Sequence, residues 1–120
     1  MKKSFFLLVI LPLLSFGQLK KEVLFIGNSY TYYNNLPDLV NEIALSFGDT
    51  LMHESSTPGG SNFNAHSTNA QTLNKINQKQ WDYVVLQAQS QELSFSHFQV
   101  ANDSYPYAEI LVDSIFANSS

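Results

Sequence analysis

The sequence lacks cysteine and arginine altogether, and these two absences exclude several classes of function. Without cysteine, the chain can form no disulfide, can carry no lipid-modified cysteine anchor and offers no thiolate as a nucleophile or metal ligand. All six basic residues are lysines, and with ten acidic residues they give a formal net charge of -4. Binding to nucleic acid or to an anionic membrane surface needs clustered basic side chains, so we expect neither as a partner.

The remaining composition is typical of one folded domain. Hydrophobic residues make up 44% of the 120 residues and charged residues 13%, which is far from the composition of a disordered chain. A chain of this length can bury a real core but is short for an enzyme with several layers. We therefore predict a single globular domain.

The N-terminus has the pattern of a secretory signal peptide. Two lysines lie near its start, an apolar run spans residues 5–16, and a small-x-small triplet ends at Gly17. A buried helix or a membrane anchor is disfavoured, because the run is short for a bilayer span and Pro12 interrupts it. We expect a signal peptide over residues 1–17, a secreted or periplasmic protein without a stable membrane anchor, and a mature domain over residues 18–120.

Strand-like and helix-like patterns alternate along the mature chain. β-Strands are predicted where short runs are rich in β-branched and aromatic residues, at Val23–Ile26, Thr50–Ser56 and Trp81–Gln87. The second run is the more polar and suits the edge of a sheet. Helices are predicted from apolar residues at helical spacing, between Pro37 and Gly48, over Ala65–Gln78 and around Pro106. Because parallel strands need crossover connections, this order predicts an α/β fold with a parallel sheet and helices on both faces.

Polar loops follow all three predicted strands, at Gly27–Asn35, Thr57–Phe63 and Gln87–Ser96. In open parallel sheets, ligands bind outside the carboxyl ends of the strands, at the point where the strand order reverses. The side chains of these loops are therefore the predicted place of the functional site.

Each predicted strand and its loop carry a motif that resembles a sequence block of the SGNH hydrolases, also called GDSL-type esterases and lipases. The motifs read FIGNSYT at the first strand, TPGGSN after the second and VVLQAQSQ at the third, and their order follows the family over residues 22–118. The resemblance implies a three-layer α/β/α, flavodoxin-like parallel sheet, of which this chain would hold the first three of about five strands. It also implies ester hydrolysis through a serine acyl-enzyme, with no metal and no organic cofactor.

The resemblance assigns the catalytic groups residue by residue. Ser29 takes the place of the family's nucleophile. The N–H groups of Ser29 and Gly60, with the side-chain amide of Gln91, take the place of the oxyanion hole. One position in the first motif departs from the family, since Asn28 stands where an aspartate is usual.

The third motif departs further from the family pattern. It reads Gln-Ser-Gln where Gly-x-Asn would stand, so Gln87 or Gln89 are alternatives to Gln91 as the amide donor. We expect Asn28, Gln89 and His66 to contact the substrate. For His66, a surface position on a helix is the other interpretation.

A general base is missing from this assignment. The family takes it from the histidine of a late Asp-x-x-His motif, and here Asp49 and His53 are one residue too far apart and lie in the wrong place. His97, near the third loop, is a candidate, although a solvated loop residue is the simpler interpretation. Because serine needs a neighbouring base, we expect the chain to stop before the fold is complete, to be nearly inactive and to expose the far edge of its third strand.

The resemblance implies an esterase that removes short acyl groups, such as acetyl, from a carbohydrate, and Tyr30, Tyr32 and Tyr33 could stack on its sugar ring. A different class of function is also open: a non-catalytic carbohydrate- or phosphate-binding flavodoxin-like module, whose ligand lies at the corner after the first strand. In that case Ser29 only caps a helix, and Gly60 only permits a turn. Labelling by a fluorophosphonate separates these two classes of function.

Removal of the signal segment can be tested on exported protein. Mass spectrometry should find Gln18, cyclised or not, at the N-terminus, because the small-x-small triplet directs cleavage after Gly17. Intact Met1 in protein recovered from the periplasm or the medium would contradict this prediction.

Overall fold

The computed structural model describes residues 17–119, so the predicted signal peptide, apart from Gly17, lies outside the described residues. Within this range the strands are β1 (Lys20–Ile26), β2 (Thr50–Ser56) and β3 (Tyr83–Leu86). The helices are α1 (Ser29–Tyr32), α2 (Leu36–Ser46), α3 (Phe63–Thr68), α4 (Ala70–Gln78), α5 (His97–Asp103) and α6 (Tyr105–Asn118), and a short 3-10 turn covers Glu92–Ser94. No helix in this range is both long and apolar enough to span a bilayer.

The three strands run parallel, with β1 between β2 and β3. Val23 of β1 lies opposite His53 of β2 and Tyr83 of β3, which fixes the register of the sheet. The chain passes from β1 to one side to form β2 and then to the other side to form β3, so the strand order reverses at β1. Flavodoxin-like sheets begin with this β2-β1-β3 order, and the predicted α/β fold is confirmed.

The central strand is buried because helices cover both faces of the sheet. On one face, β1, α3, α4 and α6 contribute the core side chains, which are Leu24, Ile26, Phe63, Ile76 and Leu111. Side chains alternate along a strand, so Phe25 points to the opposite face, where its ring meets that of His53 edge-on. The His53 imidazole in turn lies 2.8 Å from the Asp38 carboxylate of α2, which holds that helix on this second face.

The helix predicted over Ala65–Gln78 is divided into α3 and α4 at Asn69. This residue has an extended backbone, and its side-chain oxygen accepts a hydrogen bond from the Thr72 N–H at 3.0 Å, which caps the start of α4. A residue in this conformation cannot continue α3. The prediction of a single helix is therefore wrong.

Strand β3 is shorter than the predicted strand Trp81–Gln87. Trp81 lies outside it, with its indole N–H donating to Lys75 O at 3.0 Å and its ring packed against the Lys79 ammonium at 4.4 Å. Gln87 also lies outside it, although its backbone N–H still donates to Ile26 O at 2.8 Å, and its side-chain oxygen accepts from the Asn28 N–H. Strand β2, by contrast, has the predicted bounds and the predicted edge position.

The face of the sheet beneath α2 is incompletely covered. Ile43 of α2 is 62% exposed, and on the same face of the sheet Tyr83 is 59% and Val85 40% exposed. Among the described residues, β3 pairs with β1 alone, so its outer edge is free. Helix α2 packs mainly against β2, and in the described part of the chain this leaves the β3 side of that face open to solvent.

The core can be tested with a matched pair of isoleucines. Ile76 is fully buried, so Ile76→Ala should lower the free energy of unfolding by about 2–5 kcal/mol. Ile43→Ala removes the same atoms from a position that is 62% exposed and should change this free energy by no more than about 0.5 kcal/mol. Urea titration of both variants and the parent protein measures the difference, and equal losses would contradict the assigned core.

Candidate active site

Backbone hydrogen bonds hold the carboxyl ends of the three strands level. The Gly27 N–H donates to Ser56 O at 3.1 Å, and the Gln87 N–H donates to Ile26 O at 2.8 Å. The loops after β1, β2 and β3 therefore start at one edge of the sheet. Because β1 lies between β2 and β3, the first loop has the second loop on one side and the third loop on the other.

Asn28 joins all three loops and is 2% exposed. Its backbone N–H donates to Gln87 Oε1 at 3.0 Å, and its Nδ2 donates to Ser61 O at 2.9 Å. Its Oδ1 accepts a hydrogen bond from the Tyr30 N–H at 3.1 Å, which caps α1. The side chain is therefore engaged within the protein rather than placed for the predicted substrate contact. An aspartate here would have no N–H to donate to Ser61 O, which explains the asparagine.

Ser29 begins α1 at this corner and is partly exposed. Within residues 17–119 its hydroxyl has no hydrogen-bond partner, and its N–H lies at the first helical position, where no intrahelical carbonyl can reach it. A cleft of about 340 Å³ opens beside it. Among the described residues, those that line it are Ser29, Tyr30, Tyr33 and Asn34. The predicted nucleophile therefore has a free hydroxyl next to open space.

The first and third loops approach each other so closely that Gly27 has no room for a side chain. A Cβ atom there would lie 2.5 Å from Thr31 Oγ1 and 2.6 Å from Gln87 Oε1. These two atoms are themselves joined, since the Thr31 hydroxyl donates to Gln87 Oε1 at 2.9 Å. The glycine is therefore required by the contact between the loops.

Gln87 has a structural role that the sequence did not reveal. Its Oε1 accepts hydrogen bonds from Asn28 and Thr31, and its Nε2 donates to Ala88 O. One of the two N–H donors of this amide is engaged in this way, and the role of Gln87 as an alternative oxyanion donor stays a prediction. The clue in the sequence is a long amide side chain placed directly after an apolar strand.

His66 lies beneath the corner and is fully buried, which corrects both interpretations of this residue, as a substrate contact and as a surface position. Its Nε2 is 2.8 Å from Gly27 O, and its Nδ1 is 2.9 Å from Thr72 Oγ1, which lies 2.8 Å from Ser56 Oγ. Burial lowers the pKa of the His66 imidazole, and the hydrogen bond to Gly27 O opposes this effect more weakly. Both ring nitrogens of His66 are hydrogen-bonded, so this buried side chain stabilises the corner from the interior of the protein.

The remaining predicted site residues lie in the second and third loops. Gly60 is exposed and has a φ of 71°, in the left-handed region that glycine favours. The Gln89 side-chain oxygen accepts a hydrogen bond from the Gln91 N–H at 2.8 Å, and the side-chain amide of Gln91 has no partner in the described part of the chain. None of these three residues is in the described lining of the Ser29 cleft. Their roles at an oxyanion or a substrate stay predictions.

No histidine within residues 17–119 hydrogen-bonds to Ser29. His53 pairs with Asp38, His66 is held by the buried network, and His97 is exposed at the start of α5. In the described part of the chain, Ser29 therefore has no histidine beside it that could act as its base.

Comparisons of this chain with protein-family models, curated proteins and solved structures find no match. In the range 17–119, no three His, Cys, Asp or Glu side chains are grouped so that they could hold a metal ion. The resemblance to the SGNH hydrolases therefore rests on the three motifs and on the places that they occupy in the fold.

The buried imidazole predicts a loss of stability in mildly acidic solution. Burial lowers the pKa of His66 in the folded protein, so below about pH 6.5 the unfolded chain binds the proton more readily. The contribution of His66 to the free energy of unfolding is therefore complete above that pH. It decreases as the pH falls towards the lowered pKa. Hydrogen bonds from Lys75 and Lys21 lower the pKa values of Glu54 and Asp82, whose contributions decrease in more acidic solution.

The control is His66→Gln, which has no group that titrates in this range. Urea titrations of the parent and the variant at about pH 7.5 and about pH 5.5 give the free energies of unfolding. The parent should lose more stability than His66→Gln between these two pH values. Equal losses in the two proteins would contradict the prediction.

Proposed function

We propose that the protein is an exported serine ester hydrolase of the SGNH type, with Ser29 as its nucleophile. The observation that carries this proposal is the position of Ser29. It follows the carboxyl end of the central strand at the point where the strand order reverses, and within residues 17–119 its hydroxyl has no hydrogen-bond partner and lies beside a cleft. Open parallel sheets bind their ligands at such points.

The proposed reaction starts with attack of Ser29 Oγ on the carbonyl carbon of the ester, while the hydroxyl proton passes to a base. The negative charge that develops on the carbonyl oxygen is stabilised by the N–H groups of Ser29 and Gly60 and by the amide of Gln91. The tetrahedral intermediate then collapses, the alcohol leaves with a proton, and water hydrolyses the acyl-enzyme. Two observations support these roles: the Gln91 side chain is exposed, and the Ser29 N–H at the start of α1 has no partner in the described part of the chain.

Exposed tyrosines beside the nucleophile favour a carbohydrate ester as the substrate. Tyr30 is 69%, Tyr32 51% and Tyr33 81% exposed, and the first and last of these line the cleft with Ser29. Aromatic rings of this kind stack on the apolar faces of sugars, while their hydroxyls bind the polar edges. We therefore propose that the acyl group is small, such as acetyl, and that the alcohol is a carbohydrate.

A non-catalytic carbohydrate-binding module is the second candidate function. It is favoured by one observation, that no histidine of the described part is bonded to Ser29. A phosphate-binding module has less support, because α1 has four residues and so short a helix has only a weak dipole for an anion.

Covalent labelling by a fluorophosphonate separates hydrolase from binding module. The protein should be labelled at one residue, Ser29, at a slow rate because no histidine of the described residues is bonded to this serine. Ser29→Ala should abolish labelling and the residual hydrolysis of a short-chain aryl ester, and circular dichroism should show an unchanged fold. Ser90→Ala, which removes an exposed hydroxyl of the third loop, is the matched control and should label as the parent does. Undiminished labelling or turnover in Ser29→Ala would eliminate this nucleophile.

A further inference from the structure

One peptide group at the corner is held from both of its ends. Its carbonyl, Gly27 O, lies 2.8 Å from His66 Nε2. Its N–H, that of Asn28, donates to Gln87 Oε1 at 3.0 Å. The next residue is Ser29, so the orientation of this peptide sets the direction in which the nucleophile leaves the sheet.

The identity of the atoms fixes the direction of each hydrogen bond around His66. A carbonyl oxygen can only accept, so Nε2 must carry a proton. In a neutral ring Nδ1 then accepts, and its donor is the Thr72 hydroxyl at 2.9 Å. Thr72 Oγ1 is in turn free to accept from the Ser56 hydroxyl at 2.8 Å. The hydrogen bonds therefore run one way, from β2 through α4 and α3 to the end of β1.

A neutral ring agrees with the surroundings of His66. The residue is fully buried, and burial lowers its pKa, which favours the uncharged form at neutral pH. The neutral imidazole also presents one donor and one acceptor on opposite sides, which is what Gly27 O and Thr72 Oγ1 require.

We infer that His66 is a positioning residue for Ser29: a neutral, Nε2-protonated imidazole that, together with Gln87, clamps the Gly27–Asn28 peptide. Glycine has the largest backbone freedom of any residue, so a peptide that follows it needs such external support. The clamp itself is defined by the hydrogen bonds alone, and only its purpose, the presentation of a nucleophile, rests on the proposed function.

Two substitutions separate the two hydrogen bonds of the His66 ring, to Gly27 O and to Thr72. In His66→Gln the amide nitrogen lies as many bonds from Cβ as Nε2 does, so it can still donate to Gly27 O but does not reach Thr72. In His66→Asn the amide is at the distance of Nδ1, so it can bond Thr72 but leaves Gly27 O without a partner. The two variants have similar polarity and both lose the ring, so they serve as controls for each other.

The first measurement is nitrogen-15 NMR of the parent protein, which needs no activity. The His66 ring should show a protonated Nε2 and an unprotonated Nδ1 at pH 7, and should remain neutral at about pH 6, below the ordinary pKa of histidine. A ring protonated on Nδ1, or charged at pH 7, would overturn the inference.

The second measurement is hydrogen exchange of the Asn28 N–H, which bonds Gln87 and does not touch His66. In His66→Asn this exchange should become about tenfold faster, because release of Gly27 O frees the other end of the same peptide. In His66→Gln it should stay close to the parent rate. Equal rates in all three folded proteins would show that there is no clamp.

The third measurement is the rate of fluorophosphonate labelling at Ser29. His66→Asn should label about a hundredfold more slowly than the parent, since a small misplacement of a nucleophile costs about that factor. His66→Gln should be much less affected. Parent-like labelling of folded His66→Asn would overturn the positioning role. A parent protein that is never labelled would refute the proposed nucleophile, while the two NMR measurements would still decide whether the clamp exists.

Discussion

The hydrogen bond from the Asn28 N–H to Gln87 Oε1 holds the candidate site together. The backbone pairing of β1 with β3 ends at Ile26 and Leu86, and beyond it the peptide groups of the first loop need other partners in a place that excludes water. A side chain of the third loop supplies the partner, and the same oxygen also binds Thr31. Asn28 and Thr31 are each 2% exposed, so the loss of this contact would leave buried polar groups unpaired.

This contact belongs to a group of buried polar side chains around the corner. Its members are Asn28, Thr31, Ser56, His66 and Thr72. Each has a hydrogen-bond partner within the protein. Apolar residues would fill the same space at a lower desolvation cost, so the group contributes a defined geometry more than it contributes stability. A rigid corner of this kind is what the proposed role of Ser29 as a nucleophile requires.

Features that depend on residues close together in the sequence could be predicted from it. The bounds of β2, Thr50–Ser56, followed from a polar run between turn residues, and the place of Ser29 followed from a loop that leaves an apolar strand. The break at Asn69 was missed because one capping side chain is a weak signal within a helical pattern. The roles of Gln87 and His66 could not be predicted, since their partners lie 59 and 39 residues away and meet them only through the register of the sheet.

In the described part of the chain the outer edge of β3 is free, and this bears on the loops at the carboxyl end of the sheet. A strand that paired in parallel with this edge would finish at the level of Leu86, and the loop after it would emerge beside Gln87. Such a loop would stand at the same rim as Ser29. A segment that extended the sheet on that side, from this chain or from another, would therefore add side chains of its own to the rim at which Ser29 lies.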